Sequence, residues 1–399
     1  KYDLFTRQFK QNPHPTFAQM RRECPIYAHK DPDGRTIWYI TRYEDIVEVL
    51  KDNDRFVKDI RNTWPPEKQT RQHTPTLQQL INRNMLFADP PDHTRLRHLV
   101  SLAFTPRRVE AMRPRIEAIA HALLDKVANQ QQMELIADFA LPLPFIVITD
   151  MLGIPTEDRE QVSVWSQAII SPGSRGLTYG ERKRRVKAFV QYLQQLFADR
   201  RQQPQDDLIT ALVEAESEGD RLTEAELSSM VALLLVTGYE TTVNLIGNGT
   251  LALLQHPAQL AEIQANPELL PGAVEELLRF DGPVETSTTR WVRQDCTFKG
   301  YQMRRGDIVR VVLSSANRDE AVFERPNVLD IYRQDNRHLA FGLGIHYCLG
   351  APLARLEGVV ALGTLFGRFP TLRLAVPPEK LVWRSGVLFR GLEQLPLVW

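Results

Sequence analysis

Apolar residues recur three and four positions apart over most of this chain, while strict alternation is confined to short stretches. That pattern predicts a mainly α protein with a small β-rich region. Helices are expected at Pro15–Arg22, Tyr43–Leu50, Pro106 to about Asn129, Pro142–Leu152, Glu157–Ile170, Tyr179–Arg201, Asp206–Glu216, Pro271–Phe280 and Ala351 to about Phe366. β-Branched and aromatic content predicts strands at Ile37–Ile40, Thr286–Val292 and Ile308–Leu313, and a pair of Thr297–Phe298 with Tyr301–Met303. A closing hairpin over Trp383–Trp399 places its tip near Val387 and Leu388. Ser171–Ser174 and Gln202–Pro204 are breaks. The stretch from about Asp59 to Phe87 is long for a passive connection, which makes it a lid, a binding wall or a disordered segment.

The longest helix has its own start signal. Thr223 and Glu226 have the spacing of a capping box, and apolar patterning continues past Glu240 to about Leu254, before His256–Pro257. Roughly 30 helical residues reach ~45 Å, enough to cross a domain. In the middle stand Thr237-Gly238-Tyr239-Glu240-Thr241-Thr242, where packing alone would favour leucine. Two readings are open. Threonines bond back to the preceding turn and bend a helix, with Glu240 reaching solvent; alternatively, residues that break a local rule at a helix centre serve function.

Composition narrows the classes. The 399 residues carry 49 basic and 49 acidic side chains, so nothing points to a nucleic-acid partner, and 43% hydrophobic content supports a large core. Cys24, Cys296 and Cys348 form neither an even set nor a CxxC pair, which argues against a disulfide framework or zinc site and suits a reducing cytoplasm. No apolar run approaches the ~20 residues needed to span a bilayer; the nearest, Met230–Val236, is soon interrupted by Gly238 and Glu240. The first residue is Lys1, so the natural N-terminus and any targeting signal lie beyond what these residues reveal.

Several polar pairs carry both a bland and a functional meaning. Behind the helix start at Asp89-Pro90-Pro91-Asp92, His93 and Arg97 share one helix face, which is a solvated surface in the simpler reading. Glu276 and Arg279 lie one turn apart, worth only ~0.2–0.5 kcal/mol if exposed but costly to break if buried. The run Glu181–Arg185 reads as an exposed face.

The densest signal is Phe341-Gly342-Leu343-Gly344-Ile345-His346-Tyr347-Cys348-Leu349-Gly350, followed at once by a helix. Glycines permit turns and close backbone approach, and a thiolate gains from the positive end of a helix. Phe-Gly-x-Gly-x-His-x-Cys-x-Gly resembles the haem-binding signature of the cytochrome P450 family. The resemblance extends over nearly the whole chain, through His93 with Arg97, the Gly238–Glu240–Thr241 motif, Glu276 with Arg279, and Arg290.

The resemblance implies a cytochrome P450 fold, with the long helix crossing haem b, in a single catalytic domain without a fused reductase. Cys348 would ligate the haem iron; His93, Arg97, Arg290 and His346 would meet the propionates; Phe341, Gly342, Gly344 and Gly350 would shape the loop. Gly238, Glu240 and Thr241 would serve dioxygen and proton delivery, while Glu276, Arg279 and Arg333 would form a structural network. Thr237 departs from the family pattern, which has a smaller residue there; it would narrow the pocket or add a hydrogen bond. Leu86, Phe87, Val236, Thr237, Val284, Thr286, Val387 and Leu388 would face an apolar small molecule, within walls formed by the Asp59–Phe87 stretch and the Ile170–Tyr179 connection. The implied reaction is monooxygenation of a macrolide or other polyketide, a terpenoid or a fatty acid. Electrons would come from a ferredoxin or flavodoxin with its NAD(P)H reductase, docking on arginines such as Arg95, Arg107, Arg108, Arg113 and Arg355. A monomeric, cytoplasmic protein with no nucleic-acid or membrane partner is expected. Peroxide-driven or redox-neutral chemistry is an alternative, weakened by Glu240-Thr241; a haem sensor or electron carrier would need a second protein ligand, and Val236–Thr242 has no His, Cys or Met to supply one.

Overall fold

The computed structural model describes residues 2–65, 82–170, 177–217 and 219–399. Most of the Asp59–Phe87 stretch and the Ser171–Ser174 break lie outside them. The chain forms two compact units, one of Lys1–Gln69, Ile116–Leu143 and Thr241–Trp399, the other of Thr70–Arg115 and Pro144–Glu240.

The first unit contains a five-stranded sheet of β1 (Ile26–Lys30), β2 (Thr36–Ile40), β3 (Phe56–Val57), β4 (Arg290–Val292) and β5 (Ile308–Val311), in the order β1-β2-β5-β4-β3. β5 runs parallel to β2, with Ile308 opposite Ile37; the other pairings are antiparallel. Side chains of a strand alternate between faces, and β2 uses both. Trp38 and Ile40 join Ile46, Val49, Leu50, Phe56 and Val311, while Ile37 and Tyr39 join Phe9, Phe17 and Met20 of the N-terminal helices. Every residue of β2 is therefore buried.

Predicted helices recur with small shifts of boundary, among them His14–Glu23, Tyr43–Lys51, Pro142–Leu152, Tyr179–Gln202, Leu270–Asp281 and Ala351–Arg368. The predicted Pro106–Asn129 helix is two helices, Pro106–Ala111 and Arg113–Asp125. Asp206–Glu216 shortens to Leu208–Glu214 because Asp207 caps it, accepting from the Thr210 N–H at 2.7 Å, and Glu216 pairs instead with Arg221 in a two-residue ladder.

The expected strand Thr286–Val292 is reduced to Arg290–Val292. Its first half departs from a regular ladder: the Thr286 N–H donates to the Leu388 carbonyl at 3.5 Å and the Ser287 N–H to the Val311 carbonyl at 2.9 Å. Ile308–Leu313 ends at Val311, since Leu313 begins a short helix. Nor is Trp383–Trp399 a continuous hairpin. Trp383 bridges Leu392, Phe389 bridges Val284, and the last strand, Pro396–Val398, pairs with Arg373–Leu374 and Gln132–Glu134.

The helix Glu224–Leu254 is capped as expected: the Thr223 N–H and hydroxyl donate to Glu226 Oε2 at 2.9 Å, and the Glu226 N–H donates back at 3.3 Å. By length and composition it would reach across a bilayer, contrary to the run-length reading, with a hydropathy of 1.4 over its best window. That window is 67% buried within the chain, which makes it a core helix.

Candidate active site

Backbone bonds set the shape of the loop that presents Cys348. The Cys348 N–H donates to the Phe341 carbonyl (2.9 Å), the Gly342 N–H to the Leu339 carbonyl (2.8 Å), and the Tyr347 N–H to the Gly344 carbonyl (3.0 Å). Gly342 and Gly344 have φ of 70° and 74°, a left-handed conformation that strains other residues. At Gly344 a Cβ would also stand 2.8 Å from the Leu50 carbonyl oxygen, which is backbone and cannot swing away. Gly350 caps the following 18-residue helix, and a Cβ there would lie 3.9 Å from Cys348 Sγ. The thiol, exposed in this structure, therefore sits at the positive end of a helix, which favours its thiolate.

Arg355, one turn into that helix, fastens the loop. It donates to both Glu275 oxygens (2.6 and 2.8 Å) and to the Tyr347 hydroxyl (3.2 Å), and its guanidinium lies 4.5 Å from the centroid of the Phe341 ring. His338 Nε2 lies 3.1 Å from Glu275 Oε2. Burial pushes the Glu275 carboxyl up, but its bonds to Arg355 and His338 outweigh this and hold it well below the usual carboxylate range.

The neighbouring Glu276 meets Arg279 through two bonds of 2.7 Å, with side chains 1% and 0% exposed. Arg333 Nε (3.1 Å), Asn336 Nδ2 (3.2 Å) and the Asp330 N–H (2.9 Å) also donate to Glu276. Arg279 spends its remaining donors on the carbonyls of Asn317, Pro326 and Val328. The structure thus brings together all three residues expected in the network and ties them to the chain just before Phe341.

On the long helix, the Thr237 hydroxyl donates to the Leu233 carbonyl at 2.7 Å, the back-bonding reading of that residue. Gly238 has a packing reason of its own, because a Cβ there would meet Ile148 at 3.1 Å. Glu240 and Thr241 are half-buried. Thr242 is 2% exposed and donates to Glu357 Oε2 at 3.1 Å. Glu357 is 1% exposed and its Oε1 finds no partner among the described residues. Burial pushes its carboxyl up to about 8, with the Thr242 bond only partly offsetting this.

The remaining expected residues fall on both units. His93 (2% exposed) and half-buried Arg97 share a face of the helix Asp92–Ala103; burial, then the Arg97 charge, lowers the His93 pKa. Leu86 and Phe87 form a 3₁₀ turn in the same unit, which also holds Val236, Thr237 and Gly238. The other unit carries Cys348, His346 and buried Arg290 on β4, together with Val284, Thr286, Val387 and Leu388. Thr286 is buried and donates its hydroxyl to the Val387 carbonyl at 2.8 Å. Sequence reasoning missed Glu357, Glu275 and Lys10. Only Glu357 had a signal, an acid within the apolar run Leu356–Ala361.

A thiol held by glycines at a helix start, in a mainly α fold with a few small sheets, is the arrangement of a haem-thiolate protein. The profile of the cytochrome P450 family matches residues 3–388. Polyketide biosynthesis cytochrome P450 PksS of Bacillus subtilis (strain 168) is 46% identical over 396 residues, covering 98% of this chain and 96% of the relative. Cytochrome P450 monooxygenase PikC of Streptomyces venezuelae is 42% identical over 396 residues, covering 98% and 92%. Among solved structures, PksS superposes with a TM-score of 0.93 at 44% identity, covering 100% of this chain and 99% of that one. Myxobacterial CYP267B1, solved in complex with myristic acid, gives 0.91 at 42% identity, covering 99% and 98%.

The chain belongs to the cytochrome P450 family and is a haem-thiolate monooxygenase whose cofactor is haem b. Its residues fit that group. Gly342 and Gly344 allow the left-handed turns that present the loop, the absence of a Cβ at Gly350 leaves room beside Cys348 Sγ, and the thiol is the soft donor that haem iron takes as thiolate. When bound, haem b activates dioxygen so that one oxygen atom enters the substrate and the other leaves as water. Members of the family act on small molecules with electrons from redox partners.

Proposed function

We propose that this enzyme hydroxylates or epoxidises a mostly apolar small molecule, with natural-product substrates of the macrolide or polyketide type favoured over terpenoids and fatty acids. The observation that carries the reading is the presentation of Cys348, exposed at a helix N-terminus by a loop that needs its glycines. The similarity to PksS and PikC favours the polyketide class, and the myristic acid complex of CYP267B1 keeps fatty acids in view. Cys348 would be the axial thiolate, and His93, Arg97, Arg290 and His346 would bind the two propionates with charge-assisted hydrogen bonds. Phe341, Gly342, Gly344 and Gly350 would shape the bed under the ring. Glu240 and Thr241 would hold and pass protons, beside Gly238. Leu86, Phe87, Val236, Thr237, Val284, Thr286, Val387 and Leu388 would line the substrate side. A cytoplasmic monomer reduced by a ferredoxin or flavodoxin with its NAD(P)H reductase completes the proposal.

Replacing Cys348 by His tests the axial assignment. The wild-type ferrous carbonyl adduct should show the red-shifted Soret band of thiolate ligation, and C348H should lose it; an unshifted wild-type band removes the reading. For Thr241, the alanine variant should send electrons into hydrogen peroxide, measured as peroxide formed per NAD(P)H consumed. Unchanged coupling removes Thr241 from proton delivery. Substrates can be ranked by screening macrolides, terpenoids and fatty acids for the Soret shift that accompanies displacement of the water ligand.

A further inference from the structure

Lys10 stands in the last turn of the five-residue helix Arg7–Gln11, far in sequence from every proposed site residue, and it is only 5% exposed. Its Nζ lies 2.6 Å from Glu285 Oε1, in a pair with side chains 6% and 2% exposed. Its backbone carbonyl accepts from Arg390 Nη1 at 2.9 Å. Glu285 and Arg390 belong to two segments that are themselves bound together: Val284 bridges Phe389, the Glu285 N–H donates to the Leu388 carbonyl (2.9 Å), the Thr286 hydroxyl to the Val387 carbonyl (2.8 Å) and the Arg390 N–H to the Pro283 carbonyl (3.0 Å). One residue of the N-terminal helix therefore grips both segments of the proposed substrate wall. Glu285 is thus held through its side chain by Lys10 and through its N–H by the Leu388 carbonyl, and the adjacent Thr286 is fixed in turn on the Val387 carbonyl.

Stability alone is a poor reason for this arrangement. Replacing a buried ion pair with well-packed apolar residues is often neutral or stabilising, and Glu285 Oε2 is buried without a partner among the described residues. Registry is a better reason. Arg390 adds to it, being paired with Asp281, stacked 3.6 Å from the Trp383 ring and accepting at its carbonyl from Asn248 Nδ2 of the long helix.

We propose that Lys10 is a positioning residue for substrate selection: through Glu285 and Arg390 it fixes where Thr286, Val387 and Leu388 stand. This rests on the reading of those residues as a substrate wall. The test uses holoenzyme and two probes that bind haem iron through an imidazole nitrogen, imidazole itself and the bulkier 4-phenylimidazole, each titrated by its Soret shift. In K10M and E285Q the ratio of the two Kd values should change by about tenfold, the scale of a small change in pocket shape. Imidazole binding and the ferrous carbonyl band should hold, and K10R should restore the ratio. If K10M yields too little protein, K10M/E285L preserves an apolar pairing and is judged by the same ratio. A purely structural role would lower Tm and leave the ratio at its wild-type value, which overturns the proposal. T286A and L388A separate the two levels: if they shift the ratio and K10M does not, Lys10 is not a positioning residue; if they too leave it unchanged, the wall reading fails and takes the Lys10 proposal with it.

Discussion

Glu357 is an acid placed where ionisation is most costly, fully buried with a single neutral donor, the Thr242 hydroxyl. With its pKa pushed up to about 8, it is protonated at neutral pH, in contact with Thr242, the residue following Thr241. The consequence for stability has a definite sign. Between the ordinary 4.5 and about 8 the unfolded chain gives up this proton while the folded chain keeps it. Folding stability therefore falls as pH rises through that window, because the folded state binds more protons than the unfolded one. Glutamine keeps the shape and the acceptor for Thr242 but has nothing to titrate. E357Q should thus gain on the wild type as pH rises from 5 towards 8, by an amount on the order of a few kcal/mol. Thermal unfolding across that range checks this; parallel Tm curves would mean that Glu357 does not titrate as its burial demands.

At the scale of elements, two Glu–Arg pairs with the same sequence spacing differ in worth. Glu110 and Arg113 are 63% and 42% exposed and contribute little. Glu276 and Arg279 are 1% and 0% exposed and are joined by Arg333, Asn336 and the Asp330 N–H. Removing Glu276 leaves two arginines facing a buried gap, and broken buried pairs cost about 3–5 kcal/mol. E276A should therefore give little holoenzyme, read as haem per protein and by thermal unfolding, whereas E110A should resemble the wild type. Normal yield of folded E276A holoenzyme would contradict the structural role.

The same contrast explains what was legible. The long helix announced its start through Thr223 and Glu226, and the Cys348 loop through glycines in left-handed turns that strain most other residues, because both signals are local. The extent of Thr286–Val292 was not legible, since its first residue bonds to Leu388, about 100 positions away, and the regular pairing with Ile308–Val311 is confined to Arg290–Trp291. Of the terminal hairpin, the part around the expected tip is present, with Trp383 opposite Leu392, but local residue types do not say which partner an extended segment finds, and Pro396–Val398 finds Gln132–Glu134. Lys10 and Glu285 are 275 positions apart, beyond the reach of any periodicity.

Over the whole molecule, equal numbers of acidic and basic side chains leave electron-transfer docking to local charge. Of the arginines expected to form a basic face, most are already engaged. Arg95 pairs with Asp220 and Glu226, Arg108 with Asp206, Arg113 with Glu110, and Arg355 with Glu275. A carboxylate on the proposed ferredoxin partner would have to compete with these internal partners, so each would add less attraction than a free charge. Arg107 differs: it is exposed and has no ion pair among the described residues. Steering by rim charges acts on association rate and is screened within about 8–10 Å at ordinary ionic strength. Reduction by a ferredoxin should accordingly slow with added salt, R107E should slow it more than R113E does, and the difference should shrink at high salt while the bound complex transfers electrons at the same rate. Stopped-flow reduction under carbon monoxide at several salt concentrations measures each of these. If reduction is indifferent to salt and R107E matches the wild type, the partner docks without help from this charge, and apolar contact becomes the term to seek at its interface.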